Sequence, residues 1–234
     1  MSLIRNILSI DTTSRAIDVV LWSNGRVFSI QRDTRLDNYE GIACLIESVL
    51  KKANLSLSHI DYFGVCTGPG SFTGMRIGLS TMKALAYSLS KPLIGFGSLD
   101  IIAYMAKNKY HGLLCVMQDA KRNNIYSAVF SNNKSLRRVS SYLLLEPTKI
   151  LKRLKKLHRN TTDLYFCGDV VSLYKDQIKI SFPNSKILSF NDVKLKGRAI
   201  ISLTKENARN ESNPFELLPF YMYPKDCQVR KSSK

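Results

Sequence analysis

One order of segments occurs twice in this chain, and it limits the available folds more than any single residue does. Residues 4–11 alternate as a strand that ends in Asp11-Thr12-Thr13-Ser14. A second strand over 16–22 is followed by Asn24-Gly25, a strong two-residue hairpin signal, and by a third strand over 26–32. The spacing predicts a helix over 38–52, where Ile42, Leu45, Ile46, Val49 and Leu50 share one face. Next come a buried strand over 60–67, a glycine-rich turn, a helix over 74–89 stopped before Pro92, a short strand at 93–96 and a helix at about 98–107. The order then restarts. A strand over 113–118 ends at Asp119, a second covers 125–130, and after Ser131-Asn132-Asn133-Lys134 a third runs to about Leu144. Pro147 precedes a helix over 148–157, a strand covers 164–167, and helical segments near 170–175 and 197–208 follow. Two β-β-β-α-β-α units in series predict an α/β protein of two lobes facing a cleft. The expected division is 1–100 and 101–234, with the last helix packing back on the first lobe. The two passes share few residues, so the repeat is one of topology.

A chain of 234 residues can bury a core without staples. It has no run of about 18 apolar residues, which argues against a membrane span, and its opening residues read as a strand rather than a signal peptide. The five cysteines are odd in number and widely spaced, with no CxxC pair, so free thiols in a reducing cytoplasm are expected rather than disulfides or zinc. The net charge of +17 favours an anionic partner, nucleic acid above all, but the basic residues are scattered and fit a solvated surface as well. The basic run Lys149-Ile150-Leu151-Lys152-Arg153-Leu154-Lys155-Lys156-Leu157-His158-Arg159 would lay Ile150, Leu154 and Leu157 on the core; its outer face reads first as solvated, with RNA phosphate as the alternative.

Three motifs bear on chemistry. Asp11-Thr12-Thr13 and Asp119-Ala120-Lys121 each leave a first strand, where a phosphate- and metal-holding turn would need a glycine that neither has. Their plainer reading is an aspartate that accepts a nearby backbone N–H. The run Gly68-Pro69-Gly70-Ser71-Phe72-Thr73-Gly74-Met75-Arg76-Ile77-Gly78 leads from strand into helix, either as an anion site or as a turn capped by Ser71 or Thr73. It has neither the Gly-Lys-Ser/Thr end of a P-loop nor GxGxxG spacing. The following helix is apolar most of the way round, with Met75, Leu79, Met82, Ala86 and Leu89 on one face. Such a helix is buried on more than one side: either Gly74, Gly78, Ser80 and Ala84 allow a partner helix to approach, or the helix is sandwiched wholly within the monomer. The three histidines have no ligand spacing, and no serine sits in a Gly-x-Ser-x-Gly elbow.

Ile7-Leu8-Ser9-Ile10-Asp11-Thr12-Thr13, the Gly68–Gly78 run, Asp119-Ala120-Lys121-Arg122 with Ile125-Tyr126, and the closing Pro219-Phe220-Tyr221 together resemble the TsaB (YeaZ) family over nearly the whole chain. The resemblance implies a two-lobed actin-like ATPase (RNase H-like) fold and a part in making N6-threonylcarbamoyladenosine at position 37 of tRNAs that read codons beginning with adenine. It implies a scaffold that pairs with the catalytic relative TsaD and acts with the ATPase TsaE, that dimerises with itself when alone, that meets tRNA through the complex, and that uses no cofactor or metal of its own, ATP acting at TsaD and TsaE. TsaD-type proteins carry a His-x-x-x-His metal site at positions that are Ser98 and Ile102 here, neither fit to hold the ion. The cofactor turns Asp11, Thr12 and Asp119 are therefore expected to be degenerate. The partner surface is expected on the helices over 38–52 and 74–89, at Tyr39, Ala43, Gly74, Met75, Gly78, Leu79 and Met82. Asp37-Asn38 stands where the family often has His-Ser/Thr. The competing classes are a small actin-like kinase or metallopeptidase, and a free-standing RNA-binding module.

Overall fold

A computed structural model of the chain describes residues 5–33, 41–157, 163–189, 193–208 and 216–223. The chain forms two compact units, Met1–Lys109 with Phe190–Pro219 and Tyr110–Ser189 with Phe220–Lys234. In unit 1, β1 (Asn6–Asp11), β2 (Ala16–Ser23) and β3 (Arg26–Asp33) form an antiparallel meander. The β2–β3 turn is Asn24-Gly25, both in the left-handed region that a two-residue hairpin needs. After α1 (Ile42–Lys52), β4 (Tyr62–Gly68) pairs parallel with β1; after α2 (Phe72–Ser88), β5 (Leu93–Gly97) pairs parallel with β4. The sheet order is β3-β2-β1-β4-β5, and α3 (Ser98–Ala106) follows it.

Unit 2 begins with β6 (Leu113–Asp119) and β7 (Ile125–Asn132), antiparallel. The expected third strand is two short ones, β8 (Leu136–Arg138) and β9 (Leu143–Leu145), both paired with β7. The break has a local cause: the Val129 N–H, which a continuous ladder would use, donates to Ser140 Oγ at 2.9 Å. Then come α4 (Pro147–Leu157), β10 (Leu164–Cys167), α5 (Lys175–Ser181) and β11 (Lys186–Ile187). The helix expected near 170–175 lies later, at α5, because residues 168–174 form turns. The sheet order is β11-β10-β6-β7-β8, with β6–β10 and β10–β11 parallel. With β8 and β9 counted together as one third strand, both sheets run 3-2-1-4-5 from each unit's own first strand, with the same directions. The last helix, α6 (Val193–Asn207), belongs to unit 1, where it packs on β1, β2 and β5 and against α3.

Strand alternation explains the core of unit 1. Leu8, Ile10, Val19, Leu21, Phe63 and Val65 point to one face under α1 and α2, while Ile7, Val20, Cys66 and Phe96 point to the other under α3 and α6. Covered on both faces, β1 and β4 are buried along most of their length. In unit 2, Cys115, Met117, Ile125 and Val129 pack beneath Ile150, Leu151 and Leu154 of α4. Among the described residues no helix is long and apolar enough to cross a membrane. Cys66, Cys115 and Cys167 are buried free thiols and Cys44 is exposed; Cys227 lies outside the described residues.

Candidate functional site

Asp11 ends β1 and Asp18 stands directly opposite it on β2, both almost fully buried. Two carboxylates facing each other across an antiparallel pair repel. The ammonium of Lys196, from α6, sits between them, 3.0 Å from Asp11 Oδ2 and 2.5 Å from Asp18 Oδ2. Asp11 Oδ1 accepts from the Thr13 N–H at 2.9 Å and the Thr13 hydroxyl at 2.6 Å, and Asp18 Oδ1 accepts from Gln31 Nε2 at 2.8 Å. All four carboxylate oxygens are thus bonded within the protein. Burial pushes the Asp11 carboxyl up, but Lys196 and the Thr13 bonds outweigh it and hold it below the ordinary range. For Asp18 burial wins over Lys196, and Asp11 adds repulsion, so its carboxyl lies above the ordinary value. Burial alone would lower the Lys196 ammonium; the two carboxylates raise it well above that of free lysine.

The glycine-rich run packs on this same turn. Ser71 N–H donates to Thr13 O at 2.7 Å, and Thr12 Oγ1 donates to Gly74 O at 2.7 Å. Ser71 caps α2, accepting from the Gly74 N–H at 3.1 Å. A Cβ on Gly74 would stand 1.9 Å from Thr12 O, and one on Gly78 would stand 2.2 Å from Thr12 Oγ1. These two glycines serve an approach inside the unit, not the approach of a partner helix as the sequence led us to expect. At the start of α2, weighed above as an anion site, the Ser71 N–H goes to Thr13 O and the Gly74 N–H to Ser71 Oγ, as in a capped turn. Ser98 Oγ donates to Pro69 O at 2.6 Å, tying the loop to α3, and Ile102 is in the core.

The second turn repeats the device with other residues. Asp119 Oδ1 accepts from the Lys121 N–H at 2.8 Å, and Asp119 Oδ2 pairs with the Lys121 ammonium. Lys121, Arg122 and Asn123 are all left-handed, and the Tyr223 hydroxyl donates to Ala120 O and Lys121 O, each at 3.0 Å. In both turns one aspartate oxygen holds the backbone two residues on, and the other holds a lysine. Asp18 and Lys196 were not singled out from the sequence. Asp18 could have been, as an acid inside the apolar run Ala16–Trp22; Lys196, 178 residues away, offers no such signal.

The expected partner surface divides. Met75, Leu79 and Met82 are buried in unit 1 at 3%, 4% and 0% exposure, so they are core and not surface. Their side of α2 lies on the sheet, which takes up the apolar area the sequence left to a second subunit. The outer side carries Ile77 at 48% and Tyr87 at 67% exposure, with Ser80 and Ala84 also exposed. Ala43 is exposed on α1, while Tyr39 and Asp37-Asn38 lie outside the described residues. Among the described residues no three His, Cys, Asp or Glu side chains form a metal-holding group.

Two mixed sheets of one strand order, each with an aspartate turn leaving its first strand, define an α/β protein of the actin-like ATPase fold. The family model described as TsaD, tRNA N6-adenosine threonylcarbamoyltransferase, matches residues 38–207, and the chain belongs to that family, in its TsaB (YeaZ) branch. It is 28% identical over 185 residues to the tRNA threonylcarbamoyladenosine biosynthesis protein TsaB of Buchnera aphidicola subsp. Schizaphis graminum, covering 78% of this chain and 87% of that one. The Bacillus subtilis protein of the same name is 26% identical over 175 residues, 74% of this chain and 75% of its own. YeaZ from Pseudomonas aeruginosa has the same fold, with a TM-score of 0.75 at 21% identity over 93% of this chain and all of that one.

Proposed function

We propose that this chain is a non-catalytic subunit in the synthesis of N6-threonylcarbamoyladenosine on tRNA, acting in the cytoplasm with TsaD and TsaE. The observation that carries the non-catalytic reading is the saturation of both aspartate turns. Asp11 and Asp119 have each committed one oxygen to a backbone N–H and the other to a lysine, and at the start of α2 the Ser71 N–H is taken by Thr13 O and the Gly74 N–H by Ser71 Oγ. A nucleotide-holding turn needs its carboxylate free for a cation and its amides free for phosphate. Here an internal ammonium takes the cation's place, so ATP chemistry falls to the partners. The relatives' printed names supply the pathway.

The partner surface in this reading is the outer side of α2, with Ile77, Ser80, Ala84 and Tyr87, together with exposed Ala43 of α1. It serves TsaD in the complex and a second copy when the chain is alone. The test is reconstitution with TsaD, TsaE, the adenylate-forming enzyme, ATP, threonine, bicarbonate and tRNA from one organism. Threonylcarbamoyladenosine should form with this chain and not without it, and none should form when TsaD is left out. The Ile77→Glu, Ala84→Glu double variant should melt as the parent does and lose copurification with TsaD. Equal product with and without the chain would overturn the role; retained copurification would overturn the surface.

A further inference from the structure

The positive charge is carried unequally. Unit 2 has 18 Lys and Arg against 6 Asp and Glu, while the longer unit 1 has 17 against 12. A base-composition bias of the gene would load lysine into both units alike, and it does not account for a shortage of acids in one. The densest stretch is α4. Ile150, Leu151 and Leu154 are buried beneath it, and Lys149, Lys152, Arg153 and Lys156 recur at i, i+3, i+4 and i+7 on the opposite side, with Lys155 on the flank. All five are exposed. Lys149 pairs with Glu146 at 2.7 Å, whereas Lys152, Arg153, Lys155 and Lys156 have no ion-pair partner among the described residues. Like charges four residues apart, as in Lys149–Arg153 and Lys152–Lys156, work against the helix that carries them. The stripe therefore persists at a cost to its own element. The apolar side of α4 is occupied by the core, which leaves no face to lie in a lipid surface.

We propose that the basic stripe of α4 docks the phosphate backbone of tRNA, an inference that rests on the tRNA-modifying role above. Lys149 to Lys156 spans roughly 10 Å of helix axis, and a nucleic-acid duplex presents a charge about every 1.7 Å, so the stripe faces several phosphates at once. It carries no Asn, Gln or aromatic side chain to read a base edge. Lys and Arg contacts to phosphate fix the position and orientation of the RNA.

The test uses the full chain and its K152Q/R153Q/K155Q/K156Q variant, since glutamine is a good helix former and the apolar face is untouched. Binding of an unmodified tRNA transcript is followed by fluorescence anisotropy over a range of salt. The variant should bind about tenfold or more weakly, and its slope of log K against log salt should be shallower by roughly two or more, at about 0.7–0.9 per lost phosphate contact. Removing the same charge from unit 1, as K51Q/K52Q/K91Q/K109Q, should leave affinity within about twofold. Equal losses from both variants would reduce the effect to net charge and overturn the proposal, as would unchanged tRNA binding with lost binding to polyglutamate, which would make the partner an acidic protein. If the parent supports product formation while the α4 variant binds tRNA equally well, the stripe proposal fails alone. If the parent gives no product, the functional reading fails whatever α4 binds.

Discussion

Replacing Lys196 with methionine removes the ammonium that lies between two buried carboxylates while keeping most of the side chain's volume. Asp11 and Asp18 are 2% and 4% exposed, so neither can recover its solvation in place. Breaking a buried ion pair by deleting one partner costs about 3–5 kcal/mol, because the charge left behind is uncompensated. At about 2–4 °C per kcal/mol for a protein of this size, Tm should fall by roughly 6–20 °C. The pH dependence separates this cause from lost packing. In the parent, Asp11 lies below its unfolded value, so its contribution is present above about pH 3.9 and is lost as pH falls through the folded value. Lys196 lies above its unfolded value, so its contribution is complete below about pH 10.4 and is lost as pH rises beyond it. In the variant, burial and mutual repulsion raise both carboxyls, and acid relieves the strain by protonating them. The gap in stability between parent and variant should be widest between about pH 6 and 10 and should narrow toward pH 4. Urea denaturation at several pH values measures it directly, and the D11N/D18N/K196M triple variant should recover at least half of the loss. A Lys196→Met penalty below about 1 kcal/mol, or one constant across pH, would refute the argument.

The two glycines of α2 should rank by what their new Cβ would strike. Gly74→Ala meets the Thr12 carbonyl, which is backbone, and should cost about 2–3 kcal/mol in chemical denaturation. Gly78→Ala meets the Thr12 hydroxyl, which can turn away, and should cost about 1 kcal/mol; adding Thr12→Ala should relieve Gly78→Ala but not Gly74→Ala, and the reverse pattern would show the loop is not held as described. Tyr223→Phe deletes a hydroxyl that closes the second aspartate turn at Ala120 and Lys121, and should cost about 1 kcal/mol, with faster amide exchange confined to residues 119–124.

Periodicity made most elements legible, since β1, β2, β4 and α1 bury sides that the sequence already marks as apolar. It failed where one residue overrides the pattern, as Ser140 does by taking the Val129 N–H and cutting a strand in two. The apolar excess of α2 was visible, but not which neighbour covers it. Met75, Leu79 and Met82 face the sheet, and that depends on the helix's rotation, which Thr12 sets through Gly74 and Gly78. The aspartate turns could be located by their missing glycines. Their saturation could not, because it depends on Lys196 arriving from α6, and pairing at a separation of 178 residues leaves no local trace.

That separation also sets an order of events during synthesis. A ribosome adding about 5–20 residues per second delivers Lys196 roughly 10–35 s after Asp18. Throughout that interval the nascent first sheet holds two facing carboxylates without their cation and a face that α6 has not yet covered. The first unit to emerge is thus among the last to close. A chain released early, before residue 196, would keep that face uncovered and both carboxylates without their ammonium.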